Sequence, residues 1–298
     1  MGGKSLRTNT LQTWTRRLPR QVAGALPDPV FLYVRSSLKR RTIANPWRPR
    51  RFTDHILRLL LAGDRRRCVF ADKLATRDYV ASRLGHGFLP DLYQVADDPA
   101  DLDFAALPDK FVVKTNHGSG MNCIVADRAT LDVPAVRRRL EDWLRIDYGV
   151  RSREFAYRGL PRRVFAEQLL ERAPGKLCYD YKLYCFFGET RLIQVVTDRS
   201  PTDPLDRSNG FFSEDWLPID IDWRTPRPEN LPRPACLEDM KSIARRLAVD
   251  FDFLRVDLYI HDGKVIVGEL TSFPDAGLAP FTPERDRWLG AFFGDAKA

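Results

Sequence analysis

The sequence predicts an α+β fold preceded by a short basic N-terminal extension. Three observations carry that expectation. Two pairs of β-rich segments are joined by short turn signals, Gly188-Glu189 in one and Asp262-Gly263 in the other, as antiparallel neighbours require. Other stretches, Pro134–Asp147 and Leu237–Val249, space their apolar residues at helical period instead. The charge is also uneven: residues 1–70 hold 16 Lys and Arg against 3 Asp and Glu, a balance of +13, whereas the rest hold 32 against 37, a balance of −5.

In chain order, the first 70 residues alternate basic clusters (Arg16-Arg17, Lys39-Arg40-Arg41, Arg65–Arg67) with apolar patches such as Val30–Val34 and Ile56–Ala62, which suits one or two helices. Asp72 is placed to cap a helix running to about Arg83, with Gly85 and Gly87 ending it. Phe111–Thr115 and Cys123–Ala126 read as strands around the loop Asn116-His-Gly-Ser-Gly-Met-Asn122. A helix follows over Pro134–Asp147, its proline in the first turn. Strands are predicted at Val164–Leu170, Asp180–Phe187 and Arg191–Thr197, the last two as a hairpin. Residues 198–235 are rich in Pro, Asp and Arg and read as a lid, a substrate loop or a disordered segment. The helix Leu237–Val249 precedes a final hairpin of Leu254–Ile260 and Lys264–Leu270.

These features exclude several classes. At 298 residues with 44% hydrophobic and 30% charged residues, the chain is long enough for a core and unlike a disordered polymer. No apolar run approaches the roughly 18 residues of a membrane span, and Met1–Arg20 lacks the apolar stretch of a secretion signal. The five cysteines show no CxxC spacing and read as reduced thiols, which points to the cytoplasm. The net charge of +8 suggests an anionic partner, but it resides in residues 1–70; no nucleic acid is expected for the body, and any peripheral contact with a membrane belongs to that segment.

Three groups could carry chemistry. Lys114 ends a strand and is followed by Gly118, Ser119 and Gly120, so one ammonium and several backbone N–H groups could cradle phosphates, although the same residues make an ordinary turn. Neither a P-loop nor a dinucleotide-binding spacing is present. Alternation places Arg255, Asp257 and Tyr259 on one strand face and Glu269 and Thr271 on the next. Counted from the Asp262-Gly263 turn, Asp257 and Glu269 come within cross-strand reach, where they could share a divalent cation or pair with Arg255 and Lys264. Glu167 ends an apolar strand, and Asp180, Lys182 and Tyr184 share a face that is either a site or the polar side of a sheet. Arg191, Asp198, Arg199 and Arg207 near the long connection could clamp a carboxylate or merely solubilise it.

In this order, Lys73, Lys114 with its glycine loop, Glu167, Asp180, Lys182, Arg255, Asp257 and Glu269, the chain resembles the ATP-grasp superfamily, and within it the TupA-like ATP-grasp proteins associated with teichuronopeptide and surface polysaccharide synthesis. Asp72-Lys73 with Arg77-Asp-Tyr-Val80, Leu107–Lys114 with Asn116–Gly120, Ala166-Glu167, Asp180-Tyr-Lys182, Arg255–Tyr259 and Gly268–Thr271 carry the resemblance. It implies two α+β subdomains clasping ATP, over 71–163 with the glycine loop and over 164–298 with the hinge, lid loop and metal carboxylates, behind the extension 1–70. It further implies that Lys73, Lys114, His117, Gly118, Ser119 and Gly120 meet the nucleotide phosphates. Glu167, Gln168, Leu169 and Leu170 would form the adenine hinge, Asp180 would lie near the ribose, and Lys182 near the phosphates. Asp257, Glu269 and Thr271 would hold Mg²⁺, with Arg255, Lys182 and Lys114 acting in catalysis. Thr271 stands where many relatives have Asn, a departure at the second metal position. The implied reaction joins a carboxylate to an amine, through an acyl phosphate, on a saccharide precursor. A phosphotransferase acting on a hydroxyl and a non-catalytic ATP-binding module are the alternatives.

Overall fold

The computed structural model describes residues 25–197, 207–228 and 230–294. Its α-helices are α1 Asp28–Arg40, α2 Phe52–Ala62, α3 Lys73–Leu84, α4 Val133–Arg145, α5 Tyr148–Ser152, α6 Leu237–Ala248 and α7 Pro283–Ala291. Its strands are β1 Leu92–Ala96, β2 Phe111–Thr115, β3 Asn122–Val125, β4 Val164–Gln168, β5 Glu171–Ala173, β6 Lys176–Leu177, β7 Asp180–Phe186, β8 Glu189–Thr197, β9 Ser208–Phe212, β10 Phe253–His261 and β11 Lys264–Thr271. The contacts divide the chain into two compact units, one of residues up to Gly63 with Phe273–Ala291, the other of Asp64–Ser272 with the segment from Phe292.

In the first unit, α2 buries Phe52, Ile56, Leu57 and Leu60, and Phe52 meets Phe281 edge to face. Two buried carboxylates tie this unit together. Asp54 accepts from the Arg40 guanidinium at 2.8 Å and from the Asn45 N–H at 3.1 Å. Asp286, on α7, accepts from the Thr53 N–H and hydroxyl at 2.9 and 2.6 Å, which brings the last helix to the start of α2. The sequence reading grouped residues 1–70 as an extension and 164–298 as one subdomain; by contacts, residues 25–63 group with 273–291. Arg16-Arg17, Asp198 and Arg199 lie outside the described residues.

The second unit contains an antiparallel four-stranded sheet, ordered β1-β4-β2-β3, an antiparallel five-stranded sheet, ordered β11-β10-β7-β8-β9, and a ribbon of β5 and β6. Each large sheet has one apolar face. Val113, Val125, Val164 and Ala166 of the first pack with Val136 and Leu140 of α4. Leu183, Ile193, Leu254 and Val256 of the second pack with Leu237, Met240, Leu247 and Ala248 of α6. At about 1.5–3 kcal/mol for each large side chain fully buried, these two faces decide which way the alternating polar residues point. The polar residues take the opposite faces.

Two details depart from the sequence reading. The β7–β8 hairpin turns at Phe187 and Gly188, both at positive φ (51° and 86°), one residue earlier than expected, so Glu189 is already in the strand. The stretch 198–235 is not wholly a loop: β9 lies within it and pairs with β8 from Ile193↔Phe212 to Thr197↔Ser208. The Asp262-Gly263 turn appears as expected, with φ of 49° and 74°, the geometry a two-residue hairpin of the right twist demands.

Asp72 caps α3, its carboxylate accepting from the N–H groups of Leu74 (2.9 Å) and Ala75 (3.3 Å). Asp72→Ala is expected to lower stability by about 1 kcal/mol, whereas Asp72→Ser should fall within a few tenths of wild type. Comparison of denaturant midpoints for the three proteins decides it, and equal losses in both variants would show that the cap contributes nothing.

Candidate active site

Register assembles the charged row on the polar face of the five-stranded sheet. Asp257 on β10 stands opposite Glu269 on β11 and opposite Lys182 on β7. Arg255, two residues earlier on the same face, stands opposite Thr271 and Tyr184. The Asp257 carboxylate is only 1% exposed and receives a forked contact from Arg255, Nε to Oδ1 at 2.7 Å and Nη2 to Oδ2 at 2.8 Å. Lys182 Nζ also bonds Asp257 Oδ2, and it lies 2.6 Å from Asp180 Oδ2. Arg255 Nη2 additionally donates to the Thr271 hydroxyl at 3.1 Å. Burial would raise the Asp257 pKa, but Arg255 and Lys182 outweigh it and hold the group below the usual carboxylate range. For Arg255, burial opposes the charge while Asp257, then Tyr184 and Glu269, favour it, and its pKa stays above the ordinary value.

The facing elements contribute a second charged set. Lys114 on β2 and Glu167 on β4 lie on the polar face of the four-stranded sheet and form an ion pair. Arg77 of α3 completes it, donating to Glu167 Oε2 at 3.1 Å and to the Pro90 carbonyl at 2.6 Å. Lys73 opens α3, where its N–H donates to the Asn116 carbonyl and its Nζ to the Gly118 carbonyl at 2.6 Å. Lys73, Arg77, Lys114, Phe165, Glu167 and Glu269 line one cleft. Glu269, exposed and with a side chain that makes no ion pair or hydrogen bond among the described residues, joins the two sets: it faces the cleft, is the register partner of Asp257, and acts on the charges of both Lys73 and Arg255. Burial lowers the Lys73 pKa to about 8, against the favourable field of Glu269 and with the opposing field of Lys114.

The glycine loop is braced from below. Asn116 is fully buried and bonds the Pro161 carbonyl and the Arg163 N–H at 2.8 and 2.7 Å. His117 does not face solvent; it is 2% exposed, its Nε2 lies 3.2 Å from the Ile146 carbonyl, and burial, with the Lys73 charge acting in the same direction, lowers its pKa. Gly118 has φ +76°, and a Cβ there would sit 2.9 Å from the Tyr148 ring, so both conformation and space require glycine. Ser119 and Gly120 are exposed at the loop tip.

Gln168, Leu169 and Leu170 stand apart from the charged rows, on the segment leaving β4. Gln168 contacts His261 at 3.3 Å and exchanges hydrogen bonds with Asp91, and the Leu170 carbonyl accepts from the Cys178 N–H at 3.2 Å. Arg191 on β8 pairs with Glu214 at 3.4 Å.

Sequence reasoning missed Arg77 as a site residue, though it lies four positions after Lys73 and therefore on the same helix face. It also missed the pair Tyr148 and Tyr157, whose rings are 4.7 Å apart. Tyr157 is pushed well above the ordinary phenol range, first by burial and then by Glu154 and Glu269. No local pattern marks these two tyrosines.

The donor set suits a hard cation: two carboxylates at paired positions on adjacent strands, with the Thr271 hydroxyl beside them, match the oxygen ligands Mg²⁺ takes together with substrate phosphates. Asp257 already accepts from Arg255 and Lys182, so Mg²⁺ would share its oxygens with them, whereas Glu269 faces the cleft with no ion pair among the described residues. Among the described residues no group of three His, Cys, Asp or Glu gathers as a closed metal cage.

A family model described as TupA-like ATP-grasp matches residues 55–294. Among solved structures, the chain is similar to the D-alanine–D-alanine ligase from Bacillus anthracis complexed with ATP (16% identity, 76% of this chain and 64% of that one, TM-score 0.44). It is also similar to the L-amino acid ligase from Bacillus licheniformis (17%, 68% and 43%, TM-score 0.40) and to the ATP-grasp ligase PsnB complexed with its minimal precursor (14%, 83% and 68%, TM-score 0.41). The chain thus spans less than two thirds of the first two of these proteins. No curated protein matches.

The lowered Lys73 pKa fixes a sign. Between about pH 8 and the ordinary lysine value of 10.5, the unfolded chain holds a proton that the folded chain has released, so the Lys73 contribution to stability rises with pH across that window. The denaturant midpoint of wild type, relative to Lys73→Met, is expected to climb from pH 8 to 10; a flat or falling difference would show that Lys73 titrates like a free lysine.

Proposed function

The chain belongs to the TupA-like ATP-grasp family, and from that premise we propose that it is an ATP- and Mg²⁺-dependent ligase joining a carboxylate to an amine. The observation that carries the reading is the convergence of Lys114, Lys182 and Arg255 on carboxylates along two facing polar surfaces, with Lys73 held on the carbonyl of the glycine loop beside them. Isolated cations of that number would repel, so their acids hold them until a polyanion exchanges for those partners.

In the proposed reaction the substrate carboxylate attacks the terminal phosphorus of ATP, ADP leaves, and an acyl phosphate forms. The amine then adds to the acyl carbon, phosphate leaves, and the amine proton is released with the amide formed. Lys73, Lys114 and the backbone of Gly118–Gly120 bind the phosphate chain, and Tyr148 beneath Gly118 sets the loop height. Glu167 and the segment Gln168–Leu170 border the base, and Asp180 the ribose. Lys182 and Arg255 stay charged through the reaction and offset the negative charge that spreads over the transferred phosphoryl group, a task that depends on fixed geometry more than on bond making. Asp257 and Glu269, with Thr271 at the margin, would hold Mg²⁺, which supplies phosphate charge neutralisation when bound. The loop and the tyrosine pair exclude water that would hydrolyse the acyl phosphate. The acceptor class follows the family resemblance: a uronic acid or amino acid of a surface polysaccharide precursor.

Two experiments test this. Mg²⁺-ATP turnover against panels of uronic acids and amino acids should release ADP only when carboxylate and amine are both present, with a coupled product one water lighter than the sum of its parts. ADP release with a polyol and no amine would instead establish a phosphotransferase, and no turnover with any pair would favour a regulatory module. Glu269→Gln, which leaves every described ion pair intact, should reduce ADP formation by roughly 10-fold to 100-fold with an unchanged melting temperature; full activity would remove Glu269 from the metal assignment.

A further inference from the structure

The first unit presents an exposed apolar pair inside an unbalanced basic stretch. Ile43 is 79% exposed and Trp47 75%, the two most exposed large apolar side chains among the described residues. Tryptophan is ordinarily well covered in folded proteins, so a Trp standing this far out calls for a reason. The loop that carries it is fixed. Arg41 ends α1 in the left-handed conformation, the Thr42 N–H returns to the Ser37 carbonyl at 3.1 Å, and the Ala44 N–H to the Ser37 hydroxyl at 3.1 Å. The Asn45 N–H binds buried Asp54, and the Arg48 N–H closes on the Asn45 side chain at 3.0 Å. Ala44 and Pro46 point inward while Ile43 and Trp47 alternate outward, and Trp47 leans on Tyr33 of α1 at 5.4 Å between ring centres. A braced loop that aims two large apolar groups at solvent is a presented surface.

The surrounding charge says what it fits. From Pro29 to Thr53 there are seven Lys and Arg and no Asp or Glu, and Lys39, Arg41, Arg48 and Arg50 are exposed around the pair. A soluble polyanion would be held by the cations and would gain nothing from Ile43. A bilayer interface uses both parts: Trp rests at the headgroup level with its apolar body inward, while arginines meet anionic lipid. We infer that the loop of residues 41–50 docks the protein on an anionic membrane surface, with Ile43 and Trp47 inserted at the interface and Arg41, Arg48 and Arg50 facing lipid phosphates.

The test uses the full chain and sedimentation with vesicles of phosphatidylcholine, with and without phosphatidylglycerol. Binding is expected only to the anionic vesicles and should fall as salt rises. Ile43→Ser with Trp47→Ser should reduce binding at least tenfold at low salt. Arg41, Arg48 and Arg50 changed to Gln, at about a fivefold loss for each charge, should abolish it. Brominated lipid should quench wild-type fluorescence more than that of Trp47→Phe. Circular dichroism melts of each variant exclude unfolding as the cause. No binding of wild type to anionic vesicles at low salt, or full binding by the Ile43→Ser, Trp47→Ser protein, overturns the inference; the latter result, together with equal binding to heparin, would assign the stretch to a soluble polyanion.

Discussion

Asp257 is the constraint around which the site is organised. A carboxylate almost wholly removed from water costs several kcal/mol unless its charge is met by well-placed partners. Both oxygens are met, by the Arg255 fork from its own strand and by Lys182 from the next. That arrangement works in one register only. Sliding β7 by one residue against β10 would turn Lys182 to the α6 side of the sheet and bring Tyr181 or Leu183 opposite the carboxylate. The apolar residues on the far face fix the same register through the core, so the ion pairs and the packing agree, as a uniquely specified sheet requires.

The same physics repeats in the four-stranded sheet with different partners. Glu167, also buried, sits between Lys114 from the adjacent strand and Arg77 from α3. Because Asp72 caps that helix and the Lys73 N–H bonds the Asn116 carbonyl, the helix start, the glycine loop and the strand before it are held as one piece. Lys73 is therefore positioned by backbone contacts and does not rely on a salt bridge, which is why burial dominates its titration. Displacing the loop would move the carbonyl that Lys73 Nζ contacts, so loop position and lysine position are mechanically one variable.

What could be read from the sequence follows the range of the interactions concerned. The Asp262-Gly263 turn is a two-residue signal that starts the register of β10 and β11, but counted from it Asp257 would face Gly268; a bulge between Asp257 and Leu258 shifts the partner by one to Glu269, and the turn does not reveal that step. The cap at Asp72 and the helices over Val133–Arg145 and Leu237–Ala248 are likewise local. By contrast β1 pairs with β4, some 70 residues later, and β9 lies within the stretch 198–235 whose composition reads as a lid, a substrate loop or a disordered segment. Asp286 reaches Thr53 across 233 positions, so no window of sequence reveals that the end of the chain packs with residues 25–63. The burial of His117 is non-local in the same way: Ile146, 29 positions along the chain, supplies the carbonyl that anchors its ring.

The net charge illustrates the same point about range. In the second unit, cations alternate with acids at hydrogen-bond distances, well inside the roughly 8 Å over which salt screens exposed charge. Their sum is near zero or negative, and it conceals a site built of lysine and arginine. In the first unit Arg40 has its charge met by buried carboxylates, Asp54 and Asp286, while Arg41, Arg48 and Arg50 stay exposed in a stretch, Pro29 to Thr53, that holds no acid. A long-range field survives only where compensation is missing. The same count of positive charges thus serves two ends: in the cleft it gives short-range, geometrically fixed recognition, and on the first unit it gives a field that reaches into solvent.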